Sequence, residues 1–400
     1  MVEQQMPLYI VWDKVFGQYN FGPTHPMHPL RLDLTARLCE DFGLFDLRNV
    51  TVHSASVATD ELLETVHSSE YISAIRAAES TSSVDDAVRI RYGVGTDDVP
   101  RFDHIHEASA RIVQGSVQAA QAIVSGEAVH AVNFSGGMHH ARRDKASGFC
   151  VYNDVAAAIT HLLDSGVQKV AYIDIDAHHG DGTESIFWDD PRVLTISLHE
   201  TGRMLFPGTG FADEIGGSSA EASAVNVALP PRTSDSDWLR AFDAIVPPLI
   251  GAFEPEVIVS QHGCDGHLHD PLTHLRLSVD ALRQAAIMID ELAAAHCGNR
   301  WLAVGGGGYD LLDAVPRSWA HLVAIAAGKP IAVTAQTPES WRDYVHERSQ
   351  RDAPRLMGDE VELWWRSWKV GFDPNNELDR AVMATKKSVF PFHGLDPYFD

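Results

Sequence analysis

Six short runs of apolar, β-branched and aromatic residues punctuate the chain: LYIVW at 8–12, HAVNF at 130–134, KVAYIDID at 169–176, VLTISLH at 193–199, PEVIVSQ at 255–261 and WLAVGGGGY at 301–309. Several are apolar at consecutive positions, the pattern of strands covered on both faces in a parallel sheet. Stretches with helical spacing lie at 30–42, 59–78, 104–125, 152–165, 235–252 and 278–296. The segments between strands are long enough for helical crossovers. This alternation predicts α/β architecture, a single domain over 1–334 with a doubly wound, mainly parallel sheet covered by helices. SSAEASA (218–224) and ESTSSVDD (79–86) read as polar surface loops. Residues 335–400 carry Trp341, Trp364, Trp365 and Trp368 without strand-like runs, which predicts a C-terminal extension packed on the main domain.

Charge narrows the functional classes. With 31 Lys plus Arg against 55 Asp plus Glu the net charge is −24, opposed to the phosphate neutralisation that nucleic-acid binding needs. The four cysteines, Cys39, Cys150, Cys264 and Cys297, form no CxxC pair, so reduced thiols are expected rather than disulfides or a cysteine zinc site. No uncharged apolar run reaches membrane-spanning length and MVEQQMPLYIVWDK lacks a signal-like pattern, so no membrane association and a cytoplasmic location are expected.

The residues with chemical potential fall just after the strand-like runs, where open α/β sheets place their ligands. In Asp174-Ile175-Asp176-Ala177-His178 the polar side chains alternate as a strand ends, so they point to related sides of the backbone. Asp oxygen and His nitrogen suit a divalent metal, and a catalytic site needs three protein ligands plus an open position. Asp265, after PEVIVSQ and between Gly263 and Gly266, is the candidate third ligand. The adjacent His139 and His140 follow Gly136 and Gly137; such a pair can orient and deprotonate water, with Asp174 and Asp181 available for the second ring nitrogens. In GGGGYD the glycines allow Tyr309 to approach a metal and donate to a developing oxyanion.

Together the strings HPMHPLRLDLT, GTDDVP, SGGMHHARRDKASGFCVYND, DIDAHHGDGT, TISLHETGRMLFPGTG, QHGCDGHLHDPLTHL and GGGGY, spread over roughly 8–325, resemble the zinc-dependent histone deacetylase family, and most closely its bacterial acetoin-utilisation branch. The resemblance implies an arginase/deacetylase-like fold, with 1–334 as the catalytic domain, and hydrolysis of acetyl-lysine amides. It implies Asp176, His178 and Asp265 as zinc ligands, His140 as principal base, His139 as its partner, Asp174 and Asp181 as their orienting carboxylates, and Tyr309 as the group polarising the acetyl carbonyl. Phe149 and Phe206 would line a lysine tunnel with Gly148 and Leu272, Asp98 would grip the substrate backbone at the rim, and Arg31 would lie near an acetate exit route. A structural potassium ion would be held by Asp174, Asp176, His178, Ser197 and Leu198, and a second monovalent ion by carbonyls around Phe187, Asp190 and Val193. An Asp2His site also accepts iron(II) or cobalt(II). The implied partner is an acetylated protein lysine, with acetyl-CoA synthetase as the type of substrate.

Met138 stands where the family usually has leucine, and Cys264 where alanine or serine is commoner; neither removes a catalytic atom. Three other readings compete. An arginase-like ureohydrolase needs two metals, and Gly180 and His267 stand where its further carboxylates would be. A noncatalytic acyl-lysine or acetate sensor would be marked by loss of the base or tyrosine, and both are present. Deacetylation of acetylpolyamines or other small acylamines uses the same constellation.

Overall fold

The computed structural model describes residues 6–81 and 83–400. Eight strands form one sheet: β1 (Leu8–Val11), β2 (Val50–His53), β3 (His130–Asn133), β4 (Val170–Asp174), β5 (Val193–Glu200), β6 (Ala224–Leu229), β7 (Val257–Gln261) and β8 (Trp301–Val304). Their order is β2-β1-β3-β8-β7-β4-β5-β6 and every pair is parallel. The helices are α1 (Leu30–Asp41), α2 (Asp60–Leu63), α3 (Ser69–Glu79), α4 (Asp86–Tyr92), α5 (Ile105–Ser125), α6 (Asp154–Asp164), α7 (Asp181–Ile186), α8 (Asp235–Phe253), α9 (Val279–His296), α10 (Ala314–Ala326), α11 (Glu339–Ser349) and α12 (Glu377–Val389). The chain is a single α/β domain. α5 and α6 pack together as one layer over the sheet, while α1, α10, α9, α8 and α12 pack side by side as another. The central strands are buried along their whole length, as two covering layers require.

The topology creates the site. β3, β8, β7 and β4 are neighbours in the sheet, although β3 and β8 lie far apart in the chain, so the loops leaving their carboxyl ends meet. Those loops carry His139–His140, Tyr309, Asp265 and Asp176–His178 respectively.

Several elements depart from the sequence reading. The edge strands β2 and β6 were not expected, and β6 begins at Ala224, inside the run read as a polar loop. The expected helix at 59–78 is two helices, because Ser68 caps α3 by accepting the Tyr71 amide at 3.3 Å. The other polar run ends where α4 starts at Asp86. α10 had no expected counterpart; all of its residues are buried, so no polar face marks its period. All four cysteines are free and buried. Among the described residues no helix is long and apolar enough to cross a membrane.

Candidate active site

His178 Nδ1 lies 2.8 Å from Asp265 Oδ2 and 3.2 Å from Asp176 Oδ1. One ligand atom from each of these buried residues falls within 4.8 Å of the others. The remaining carboxylate lone pairs are held by fixed donors: Asp176 Oδ2 accepts Gln261 Nε2 and the Gly307 amide, both at 2.8 Å, and Asp265 Oδ1 accepts the Ala177 amide at 2.8 Å. Two glycines admit the carboxylates. A Cβ at Gly263 would stand 2.0 Å from Asp176 Oδ2, and one at Gly307 would stand 2.3 Å from Asp265 Oδ2. Two buried carboxylates and an imidazole, preoriented and close enough to share one ion, fit a divalent metal. Without an ion, burial and the neighbouring Asp176 carboxylate raise the Asp265 pKa, whereas the nearby imidazoles hold Asp176 low despite its burial.

The paired histidines stand beside this cluster. His139 Nδ1 donates to Asp174 Oδ2 and His140 Nδ1 to Asp181 Oδ1, each at 2.8 Å, and the two Nε2 atoms face each other at 3.0 Å. Each imidazole therefore has one nitrogen committed to a carboxylate and one turned inward. Burial opposes charge on His139, but Asp174 and Asp176 overcome it and raise its pKa to about 9. Burial and the His139 charge push His140 down to about 4. With both Nδ1 atoms committed, the facing Nε2 atoms have room for one further proton between them. Asp181 is also fixed by Arg142 at 2.6 Å, and Asp174 by the Tyr172 hydroxyl at 2.6 Å. Burial and the Asp265 and Asp176 carboxylates raise the Tyr309 pKa, which keeps its hydroxyl a donor.

Aromatic and backbone groups enclose the cluster. Phe149 sets its ring edge-on to Tyr309 at 5.9 Å, and Phe206, 42% exposed, lies edge-on to His140 at 5.0 Å. Asp98 Oδ2 accepts the Gly148 amide at 2.8 Å, joining the two residues expected at the rim, and burial raises its pKa. The Leu272 amide donates to Asp270 Oδ1 at 2.9 Å. Arg31 is buried beneath the glycine run and donates to the carbonyls of Gly306 at 2.8 Å and Gly308 at 3.3 Å. Of the residues expected around potassium, Asp174 and Ser197 are register partners on β4 and β5, and Leu198 follows on β5. Phe187, Asp190 and Val193 lie elsewhere, before and at the start of β5, where the Phe187 and Asp190 carbonyls accept the Asp190 and Val193 amides at 2.9 and 3.2 Å.

Comparisons with known proteins identify the family. A model of the histone deacetylase domain matches residues 25–326. The chain belongs to the histone deacetylase family. Acetoin utilization protein AcuC of Bacillus subtilis is 40% identical over 312 residues, covering 78% of this chain and 80% of that protein. The AcuC of Staphylococcus xylosus is 37% identical, covering 84% of this chain and 86% of its own. The crystal structure of a histone deacetylase homologue from Aquifex aeolicus superimposes with a TM-score of 0.82 at 27% identity over 95% of this chain and 100% of that one. A crystal structure of such a homologue complexed with SAHA gives 0.82 at 26% identity, covering 96% of this chain and 100% of that one. This chain is accordingly a deacetylase of that metal-dependent amide hydrolase family, akin to the acetoin utilization proteins.

The residues that brace this candidate site were not anticipated. Gln261 braces Asp176, and its Oε1 accepts the Gly263 amide at 2.7 Å. Asp154 accepts the amides of Gly137 at 3.1 Å and Met138 at 2.8 Å, fixing the turn before the histidines. Asp270 accepts the Tyr309 amide at 2.8 Å. Asp154 and Asp270 each precede or begin a local structural feature, so a turn or cap role was the only signal available.

Proposed function

We propose that this chain hydrolyses acetyl-lysine amides in proteins, releasing acetate and free lysine, with one divalent metal held by Asp176, His178 and Asp265. The observation that carries this reading is the convergence of that cluster with two histidines that each have their own carboxylate, His139 on Asp174 and His140 on Asp181. When bound, the ion supplies Lewis-acid polarisation of the acetyl carbonyl and acidifies nearby water. His140, its Nδ1–H committed to Asp181, takes the proton of the attacking water at Nε2. His139 shares that proton and keeps the positive charge close to Asp174. Tyr309 donates its hydroxyl proton in a hydrogen bond to the carbonyl oxygen as charge builds there. The imidazole pair then protonates the departing lysine amine.

Phe149 and Phe206 flank the lysine methylenes, with Gly148 and Leu272 completing the passage, and Asp98 grips the substrate backbone. Arg31 borders the route by which acetate leaves. Zinc is the proposed metal, although the donor set also accepts iron(II) and cobalt(II). Potassium beside it would be held by Asp174, Asp176, His178, Ser197 and Leu198, and the carbonyls of Phe187, Asp190 and Val193 form the proposed second monovalent site. The proposed substrate is a metabolic enzyme such as acetyl-CoA synthetase, the type implied by the resemblance to the acetoin-utilisation branch.

The test is acetate release from an acetyl-lysine peptide and from acetylated acetyl-CoA synthetase by metal-loaded protein, with acetylspermidine in parallel. Tyr309→Phe should lower kcat by roughly 10²- to 10³-fold, the loss typical of one oxyanion donor. His140→Ala should cost roughly 10²- to 10⁴-fold. Turnover that survives both substitutions would overturn the mechanism, and a kcat/KM that favours acetylspermidine would overturn the protein substrate.

A further inference from the structure

After Asp265 the chain reads Gly-His-Leu-His, which puts His267 and His269 two positions apart on one loop, and Asp310 directly follows Tyr309 on another. The sheet brings the loops together, so that one ligand atom from each of His267, His269 and Asp310 lies within 4.8 Å of the others. The buried His267 ring donates from Nε2 to Asp359 Oδ2 at 3.0 Å. Its proton therefore sits on Nε2, and Nδ1 carries a lone pair. That lone pair meets the His269 amide at 3.3 Å and Asp310 Oδ2 at 4.0 Å. The first contact is long, and the second is too long for a hydrogen bond. Two acceptors face each other across that gap. Ligand atoms around tetrahedral zinc stand about 3.4 Å apart, given zinc–nitrogen distances of about 2.0–2.1 Å, so a small closure would let both bind one ion.

Asp359 makes this more than a polar cluster. It is fixed independently, accepting the Val279 amide through Oδ2 and Arg317 through Oδ1, both at 2.7 Å. A fixed carboxylate on one imidazole nitrogen is the arrangement that orients a metal-ligating histidine. A cleft of about 980 Å³, whose lining includes His267, His269 and Asp359, gives access from solvent. We propose that His267, His269 and Asp310 form a second divalent transition-metal site, distinct from the catalytic one, with a fourth position open to water or to an exogenous ligand. An ion there ties together the loops that carry Asp265 and Tyr309.

The experiment is Zn2+ titration of the full chain by calorimetry, with metal counted by elemental analysis after desalting, on wild type, His269→Ala and Asp310→Asn. His269 is exposed, so its replacement leaves the packing intact. Wild type should hold one equivalent more than either variant, with the extra equivalent bound at least tenfold more weakly in the variants. Cobalt(II) should give a second visible absorption component that both variants lose. Equal uptake by all three proteins would overturn the site. Were the catalytic cluster not to bind metal, wild type would hold one equivalent and the variants none, which leaves this inference standing.

Discussion

Asp270 connects Tyr309, the proposed oxyanion donor, to the loop that follows Asp265. Its Oδ2 accepts the Tyr309 amide at 2.8 Å and its Oδ1 the Leu272 amide at 2.9 Å, so one carboxylate sets the path of both segments. Removing an acceptor from a buried amide costs about 1–3 kcal/mol, and about 1.4 kcal/mol corresponds to a tenfold rate change when the loss falls on the transition state. Asp270→Ala should therefore lower kcat tenfold or more while metal content and KM change little, and Asp270→Asn, which keeps one acceptor oxygen, should fall between. Steady-state kinetics alongside metal analysis would check this, and an unchanged kcat would remove Asp270 from the positioning of Tyr309. The same residue marks the limit of reading sequence at this scale. Asp270 precedes Pro271, a pair that signals a turn, and nothing local ties it to an amide at 309. The groups of the proposed metal site stand out in the sequence because glycines, histidines and aspartates cluster at strand ends. Their supports, Gln261 and Asp154, were not, since each acts through a partner chosen by the fold.

At the scale of elements, the six expected strands and most of the covering helices were legible because their apolar runs are continuous or periodic. β2 was hidden because it is a short edge strand whose two middle residues are exposed, and α10 because it is buried all round. The C-terminal extension, legible only as tryptophan-rich, docks through identifiable contacts. Trp341 Nε1 donates to the Leu34 carbonyl of α1 at 2.9 Å. On the other side Arg240 of α8 makes paired hydrogen bonds with Asp379 of α12 at 2.7 and 2.8 Å, donates to the Ser367 carbonyl at 2.9 Å, and stacks on Trp368 at 4.7 Å. The pair is nearly inaccessible, with side chains 5% and 1% exposed. Breaking such a pair from one side leaves a buried charge alone and costs about 3–5 kcal/mol, whereas replacing both partners with apolar groups is often neutral. Arg240→Met and Asp379→Leu should each lower the unfolding free energy by about that amount, and the double variant should recover most of the loss. Denaturant titration of the three proteins would check the cycle. Additive losses would show that the extension does not depend on this pair.

Over the whole molecule, acid sensitivity follows from histidines buried in the neutral form. His67 has a fixed tautomer: its Nδ1 donates to the Arg142 and Arg143 carbonyls at 3.1 and 3.2 Å, while its Nε2 accepts the Asn153 amide at 3.0 Å. A second proton would set two donors against each other, and burial lowers the pKa to about 4. His321 of α10 donates from Nε2 to the Met357 carbonyl at 3.0 Å, its Nδ1 is buried without a partner among the described residues, and burial takes its pKa down to about 3. Both folded values lie below the unfolded value of about 6.5, so between them the unfolded chain binds more protons. Stability from each site is complete above about pH 6.5 and is lost as pH falls toward the folded pKa. By pH 5 the loss is roughly 2 kcal/mol per site, at about 1.4 kcal/mol per pH unit. That is a substantial part of the 5–15 kcal/mol typical of a folded domain. Other groups titrate over the same range, so the decisive quantity is the difference between wild type and a variant lacking one histidine. His321→Gln and His67→Gln should each be less stable than wild type at pH 7.5, and each deficit should shrink by roughly 2 kcal/mol at pH 5, because glutamine takes up no proton. Urea midpoints at the two pH values supply the test. A deficit that stays constant with pH would mean that neither site excludes the proton, and the acid lability would then have to come from the carboxylates.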